Sequence, residues 1–272
     1  MGFEVLRKGQ PLPSHAADDA LSGARLLTSG VLPLLAAIIA ATLLGLRHYS
    51  DALGWEGCTL ALVADPPAQL VRPGALLSLR FLRLAVVGAV LAASIMDEGY
   101  EIEPEGSKGI KVRMWGTARF ATFTVWCWTM QGIYFVLSAY TFFLLPRAEG
   151  GAGADGIAEG GGGGGFSLAA AAALVLFETN LATSILVTVV VTFVLFPHAM
   201  KSSSETNYNL LRKPAALMMH NANIAFMVSE LLLTGMPVHL SHFAFGVLLG
   251  CAYVIFAWFW YGKVGMFFYF FL

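Results

Sequence analysis

Long apolar runs separated by short polar clusters set the pattern of this chain. The runs lie at about 26–46, 77–96, 117–145, 166–196, 215–233 and 241–261. Each approaches or exceeds the ~20 residues a helix needs to cross a hydrocarbon core. The pattern predicts an all-α integral membrane bundle of about six transmembrane helices with short loops. Breaker residues mark the joints: Pro66-Pro67, Pro73-Gly74, Pro146-Arg147, Pro197 and Gly235-Met236-Pro237. Pro33 falls inside the first run, which membrane helices tolerate. One loop differs from the others. Residues 149–165 are almost all Gly, Ala and acid, and end in the unbroken run Gly160 to Gly165. Such a stretch buries too little surface to offset its entropy and reads as a flexible linker. Residues 26–272 thus read as one transmembrane domain, preceded by a polar arm at 1–25 with Pro11, Pro13, Asp18 and Asp19. Arg7 and Lys8 lead into polar positions, not into the apolar core of a signal peptide.

Composition sharpens the class. Of 272 residues, 57% are hydrophobic and 12% charged, about half the ~25% charge of a soluble domain. A net charge of −1 gives no argument for a nucleic-acid partner. Cys58, Cys127 and Cys251 have no metal-like spacing and read as packing residues. Six spans place the arm, the loops at 97–119 and 198–214 and the C-terminus on one side, with eleven of the sixteen Lys and Arg. The other side holds five, so both termini are expected in the cytoplasm.

The candidate chemistry lies where polar side chains interrupt the runs. The stretch from Leu217 to Glu230 carries His220, Asn221, Asn223 and Glu230 within membrane-length apolar sequence. Ionisable groups there mark a functional site by default. The third and fifth spans start on the same side, which puts Thr124 and His220 at similar depth, roughly 10 and 7.5 Å in at 1.5 Å per residue. A hydroxyl beside an imidazole is the minimum arrangement for an activated nucleophile. Thr122 and Thr129 would serve nearly as well, and a membrane threonine usually bonds only its own helix. Asn223, one turn from His220, would fix the imidazole tautomer or donate to an oxyanion. By depth, Arg83 and Glu230 pair inside the membrane, where an unpaired charge is costly. A different arrangement gathers Glu178, Glu230, His239 and His242 as a metal site.

Three blocks resemble the androgen-induced protein family of multispanning membrane proteins, including its rolling-stone-like branch. The first runs from Arg119 through Thr122, Thr124 and Trp126 to Tyr134-Phe135. The second joins Phe177-Glu178, Thr188 and Phe196-Pro197. The third is His220 with Asn223 and Glu230, and Tyr253, Trp258, Gly265, Met266 and Tyr269 add a weaker tail. The resemblance covers about residues 77–269. It implies an intramembrane threonine hydrolase of fatty acid esters of hydroxy fatty acids, with Thr124 as nucleophile and His220 as base. Glu178, Glu230 and Arg83 would hold the bundle or bind a lipid carboxylate. No cofactor or metal is implied, and membrane lipids are the expected partners. The alternative is a non-catalytic membrane scaffold, an accessory subunit of a larger complex. The metal-dependent enzyme at the two glutamates and two histidines is a third reading, and the lack of an internal repeat argues against a transporter.

Overall fold

The computed structural model describes residues 2–7, 32–48, 55, 58–64, 70–102, 110–144, 167–201, 205–264 and 267–269. The glycine-rich stretch, Pro66-Pro67, most of the polar arm and the start of the first apolar run lie outside these residues. The protein is an α-helical membrane bundle with one small sheet at one end. Its elements are β1 (Gly2–Arg7), α1 (Leu32–His48), α2 (Leu60–Ala64), α3 (Pro73–Met96), β2 (Tyr100–Ile102) and β3 (Ile110–Trp115). There follow a 3₁₀ turn (Gly116–Ala121), α4 (Phe123–Leu144), α5 (Leu168–Lys201), α6 (Glu205–Arg212), α7 (Pro214–Thr234) and α8 (Phe243–Val264).

Four helices, α3, α5, α7 and the Leu240–Tyr261 segment, are long and apolar enough to span a bilayer. The first expected span forms a helix of 17 residues, α1. The third, α4, has 22 residues but is less hydropathic, because Thr124, Gln131, Ser138, Thr141 and several Trp and Tyr interrupt it. These polar positions are buried: α4 is the central helix, packed against α2, α3 and α5.

Neighbouring helices run antiparallel, so the bundle has matching layers. On the α3–α4 contact, Arg119 meets Ser94 at 3.0 Å, the Trp128 indole donates to the Val87 carbonyl at 3.1 Å, and Arg80 reaches the Ser138 carbonyl. Gly132 permits this close approach, since a Cβ there would lie 3.0 Å from Val87 Cγ1. Trp128, Tyr134, Phe135, Phe177 and Met227 fill the core between the layers. Leu82, Ile133, Leu186 and Phe259 point outward from the spans, as a lipid-facing surface requires. The three cysteines are buried.

Two expectations need correction. The polar arm and the 97–119 connection are not simply loops. Gly2–Arg7 pairs antiparallel with Ile110–Trp115, which pairs in turn with Tyr100–Ile102, in the order β1-β3-β2. The period-2 alternation of Ile110, Val112 and Met114 with Lys111 and Arg113 accounts for the strand. Val112, Met114 and Ile102 bury their side chains against Ala118, Ala121 and Trp260. The fourth span is not closed by Pro197 either. The helix continues to Lys201 because a π turn at Val191–Leu195 precedes the proline, with the Phe196 N–H bonded to the Val191 carbonyl. The wider turn accommodates a residue that lacks the donor of a regular helix.

Candidate functional site

The layer nearest the sheet brings Thr124 and His220 together. Thr124 is the second residue of α4, not seven residues into a span, because the 3₁₀ turn ends at Ala121. Thr122 is occupied as a helix cap: its hydroxyl accepts from the Val125 N–H at 3.3 Å and donates to the Arg119 carbonyl. Thr124, one position inside the helix, is left to face α7. Its Oγ1 lies 3.4 Å from His220 Nε2, both residues being buried. Among the described residues, Thr129 Oγ1 has no hydrogen-bond partner. The two threonines near the start of α4 therefore separate by role. Thr122→Ala is expected to lower stability by about 1 kcal/mol, as loss of a capping hydroxyl does. Thr124→Ala removes no cap, only the long contact to His220 Nε2, and is expected to leave a cooperatively folded protein, as its unfolding transition in detergent would show.

His220 sits in a π turn, Met218–Ala222, within α7. Such turns widen a helix locally and often accompany functional residues. Thr188 on α5 caps the disturbed backbone, donating to the His220 carbonyl at 2.6 Å. Thr188 Oγ1 also lies 3.4 Å from Asn223 Oδ1. Asn223 thus turns toward α5. Among the described residues His220 Nδ1 has no hydrogen-bond partner, so Asn223 does not fix the imidazole tautomer, and Asn223 is not among the residues lining the cleft. With Thr124 donating to Nε2, the ring proton belongs on Nδ1. Tyr269, beyond α8, is buried and lines both of the cavities at Thr124.

Two cavities meet at Thr124. An open cleft, about 670 Å³ including the solvent at its mouth, is lined by Thr124, His220, Tyr269, Arg119, Lys213 and Asp97 among others. A second space of about 700 Å³ runs between α4, α5 and α8 and is apolar, with Leu186, Val187, Val190, Val254 and Tyr253. Thr124, Leu195 and Tyr269 line both.

The cleft carries more positive than negative charge. Asp97 accepts from Lys213 at 3.0 Å and pairs with Arg119 at 3.1 Å. Burial works to raise the Asp97 carboxyl, but hydrogen bonds and charge from Lys213 and Arg119 outweigh it and hold it below its usual value. A carboxyl depressed in the folded state stabilises above its unfolded pKa, about 3.9, and that contribution is lost as pH falls through the folded value. Wild type is therefore expected to unfold at a higher temperature than Asp97→Asn at neutral pH. The two should converge in acid below about pH 4, as thermal scans across pH would show.

No family model, curated protein or solved structure matches the chain.

The remaining expected site residues lie elsewhere. Arg83 and Glu230 form the ion pair, with Arg80 as a second cation: Arg80 Nε lies 2.7 Å from Glu230 Oε1, and Tyr134 donates to the same oxygen at 2.9 Å. Ser229 accepts from Arg83 at 2.7 Å. Arg80 and Arg83 share a helix face, a spacing that could have brought Arg80 into the group from sequence. This cluster is ten positions along α7 from His220, roughly 15 Å, so it does not touch the Thr/His pair. Glu178 is not beside Glu230. It binds His239 and His242, which divides the four-residue metal arrangement in two. Sequence reasoning also gave no role at the pair to Lys213, Asp97 or Thr188, because their helices are joined here only by packing.

Proposed function

We propose that the protein is an intramembrane hydrolase of lipid esters that uses Thr124 and His220. The observation that carries this reading is the 3.4 Å contact between Thr124 Oγ1 and His220 Nε2 at the junction of a cleft that carries Arg119, Lys213 and Asp97 and an apolar groove. His220 Nε2 takes the hydroxyl proton as Thr124 Oγ1 attacks the ester carbonyl. The same nitrogen returns the proton to the leaving alkoxide oxygen, and water then releases the acyl group from Thr124.

The surroundings support a substrate class. The apolar groove suits an acyl chain, and Arg119 with Lys213 suits an anionic group on the other half of the ester. Fatty acid esters of hydroxy fatty acids carry both features. This is the substrate implied by the resemblance to the androgen-induced family, and membership of that family is part of the proposal. The Lys/Arg bias supports a cytoplasmic side for the cleft and both termini. The sheet joining Gly2–Arg7 to the α3–α4 connection supports a shared side for those two segments.

The test is hydrolysis of such an ester by the purified protein in detergent, together with labelling by a fluorophosphonate probe. Turnover and a covalent adduct mapped to Thr124 are expected. A folded sample with neither would sink the proposal and leave the scaffold reading, and the complex it belongs to would be sought by affinity purification.

A further inference from the structure

At the end of the bundle away from Thr124, a carboxylate on α5 meets two imidazoles from the α7–α8 connection. Glu178 Oε1 accepts from the His239 backbone N–H at 2.8 Å and lies 3.2 Å from His239 Nδ1. Glu178 Oε2 contacts His242 Nδ1. One ligand atom from each side chain falls within 4.8 Å of the others. We propose that Glu178, His239 and His242 bind a divalent transition-metal ion of zinc-like character.

Local structure explains the convergence. Leu240–His242 is a 3₁₀ turn with His239 at its N-cap. Side chains three apart eclipse in a 3₁₀ turn, so the His-x-x-His spacing puts the two imidazoles side by side, ring centres 5.1 Å apart. Trp55 stacks on His242 at 5.3 Å and fixes its plane. The α7–α8 reversal depends on Gly235, whose φ of 61° closes α7 and starts the turn.

Chemistry selects the ligand. Two imidazole nitrogens and one carboxylate are the donor set of three-ligand zinc sites, which keep a fourth position for water. Imidazole disfavours calcium and magnesium, which take oxygen donors. The electrostatics agree. Glu178 is buried, and no lysine or arginine among the described residues pairs with it. A buried carboxylate needs a counter-charge, and a divalent ion supplies one while both imidazoles stay neutral. His239 keeps 28% of its side-chain surface exposed, whereas His242 has none, so the ion has a way in past His239. Glu178 lies ten positions along α5 from Thr188, roughly 15 Å from the His220 backbone it caps. The metal site therefore does not rest on the hydrolase reading.

The experiment uses the full chain in detergent, stripped with chelator and titrated with Co²⁺, then with Zn²⁺. About one Co²⁺ per chain should bind, develop ligand-field absorption and be displaced by Zn²⁺. Glu178→Gln and His239→Ala should weaken binding by about 100-fold or more, beyond the loss that follows removal of an outer-shell partner. Zn²⁺ should raise the thermal midpoint of the wild type and not of the variants. His239→Ala is the safer variant, because the exposed ring is lost while the backbone N–H to Glu178 remains. Folded wild type without saturable Co²⁺ or Zn²⁺ binding would overturn the proposal. So would a Glu178→Gln variant that binds as tightly as wild type, or a preference for Ca²⁺ or Mg²⁺.

Discussion

Thr124→Ala is expected to lower kcat/KM for a cleavable lipid ester by at least about 10³-fold, with the protein still folded. The size follows from the role, since without an oxygen at this position no acyl-enzyme forms and only binding remains. His220→Ala should cost about as much, because a hydroxyl in apolar surroundings is a poor nucleophile without a base within reach. The double variant should be little worse than either single one, as residues that act as a unit lose their effect together. Thr124→Ser should keep part of the activity. Tyr269→Phe keeps the ring that walls both cavities but removes a buried hydroxyl from the site, and it should lower kcat more than it raises KM. Kinetics with purified variants decide the matter. Equal turnover by wild type and Thr124→Ala would exclude Thr124 as the nucleophile.

Glu230→Ala is expected to destabilise the bundle by about 3–5 kcal/mol, the range found when one partner of a buried ion pair is removed. Glu230 has no exposed surface and faces Arg80 and Arg83 together with Tyr134. Its loss leaves two guanidinium groups without their anion in an apolar layer. Arg83 also packs on Phe135 and Phe226, 5.8 and 6.0 Å from their ring centres, which retains part of its energy. Arg83→Met should therefore be milder, since Arg80 still holds the carboxylate. Replacing all three charged residues by apolar ones should restore much of the loss. Unfolding in mixed micelles measures each variant. A Glu230→Ala protein as stable as wild type would mean that water reaches this layer.

The helical membrane class was legible because apolar length alone carries it. The meeting of Thr124 with His220 was also legible, since both lie near the same end of adjacent spans. The difference between Thr122 and Thr124 was not. It depends on a 3₁₀ turn ending at Ala121, and no hydropathy pattern marks that boundary. The continuation of α5 through Pro197 was hidden for a similar reason, because a π turn leaves apolar periodicity nearly unchanged. Glu178 and Glu230 look alike in sequence, each a lone acid in an apolar run. Rotation about their helices sends one to two histidines and the other to two arginines, and that rotation is a tertiary fact. The sheet was missed although β3 alternates, because a charged segment between two spans reads first as a loop.

The buried ion cluster also has a history in time. Arg80 and Glu230 are 150 residues apart in the chain. At about 5–20 residues per second, α3 emerges roughly 8–30 seconds before its counter-ion. During that interval it carries two arginines, each penalised by about 2.5–3.5 kcal/mol at the centre of a membrane helix. A newborn α3 is thus a poor solo passenger of the translocon. It must linger beside the channel or at the headgroups until α7 arrives with Glu230. The arrival of α7 also delivers His220 to Thr124, so neutralisation of the two arginines and the meeting of these two side chains are one event in the biosynthesis of this chain.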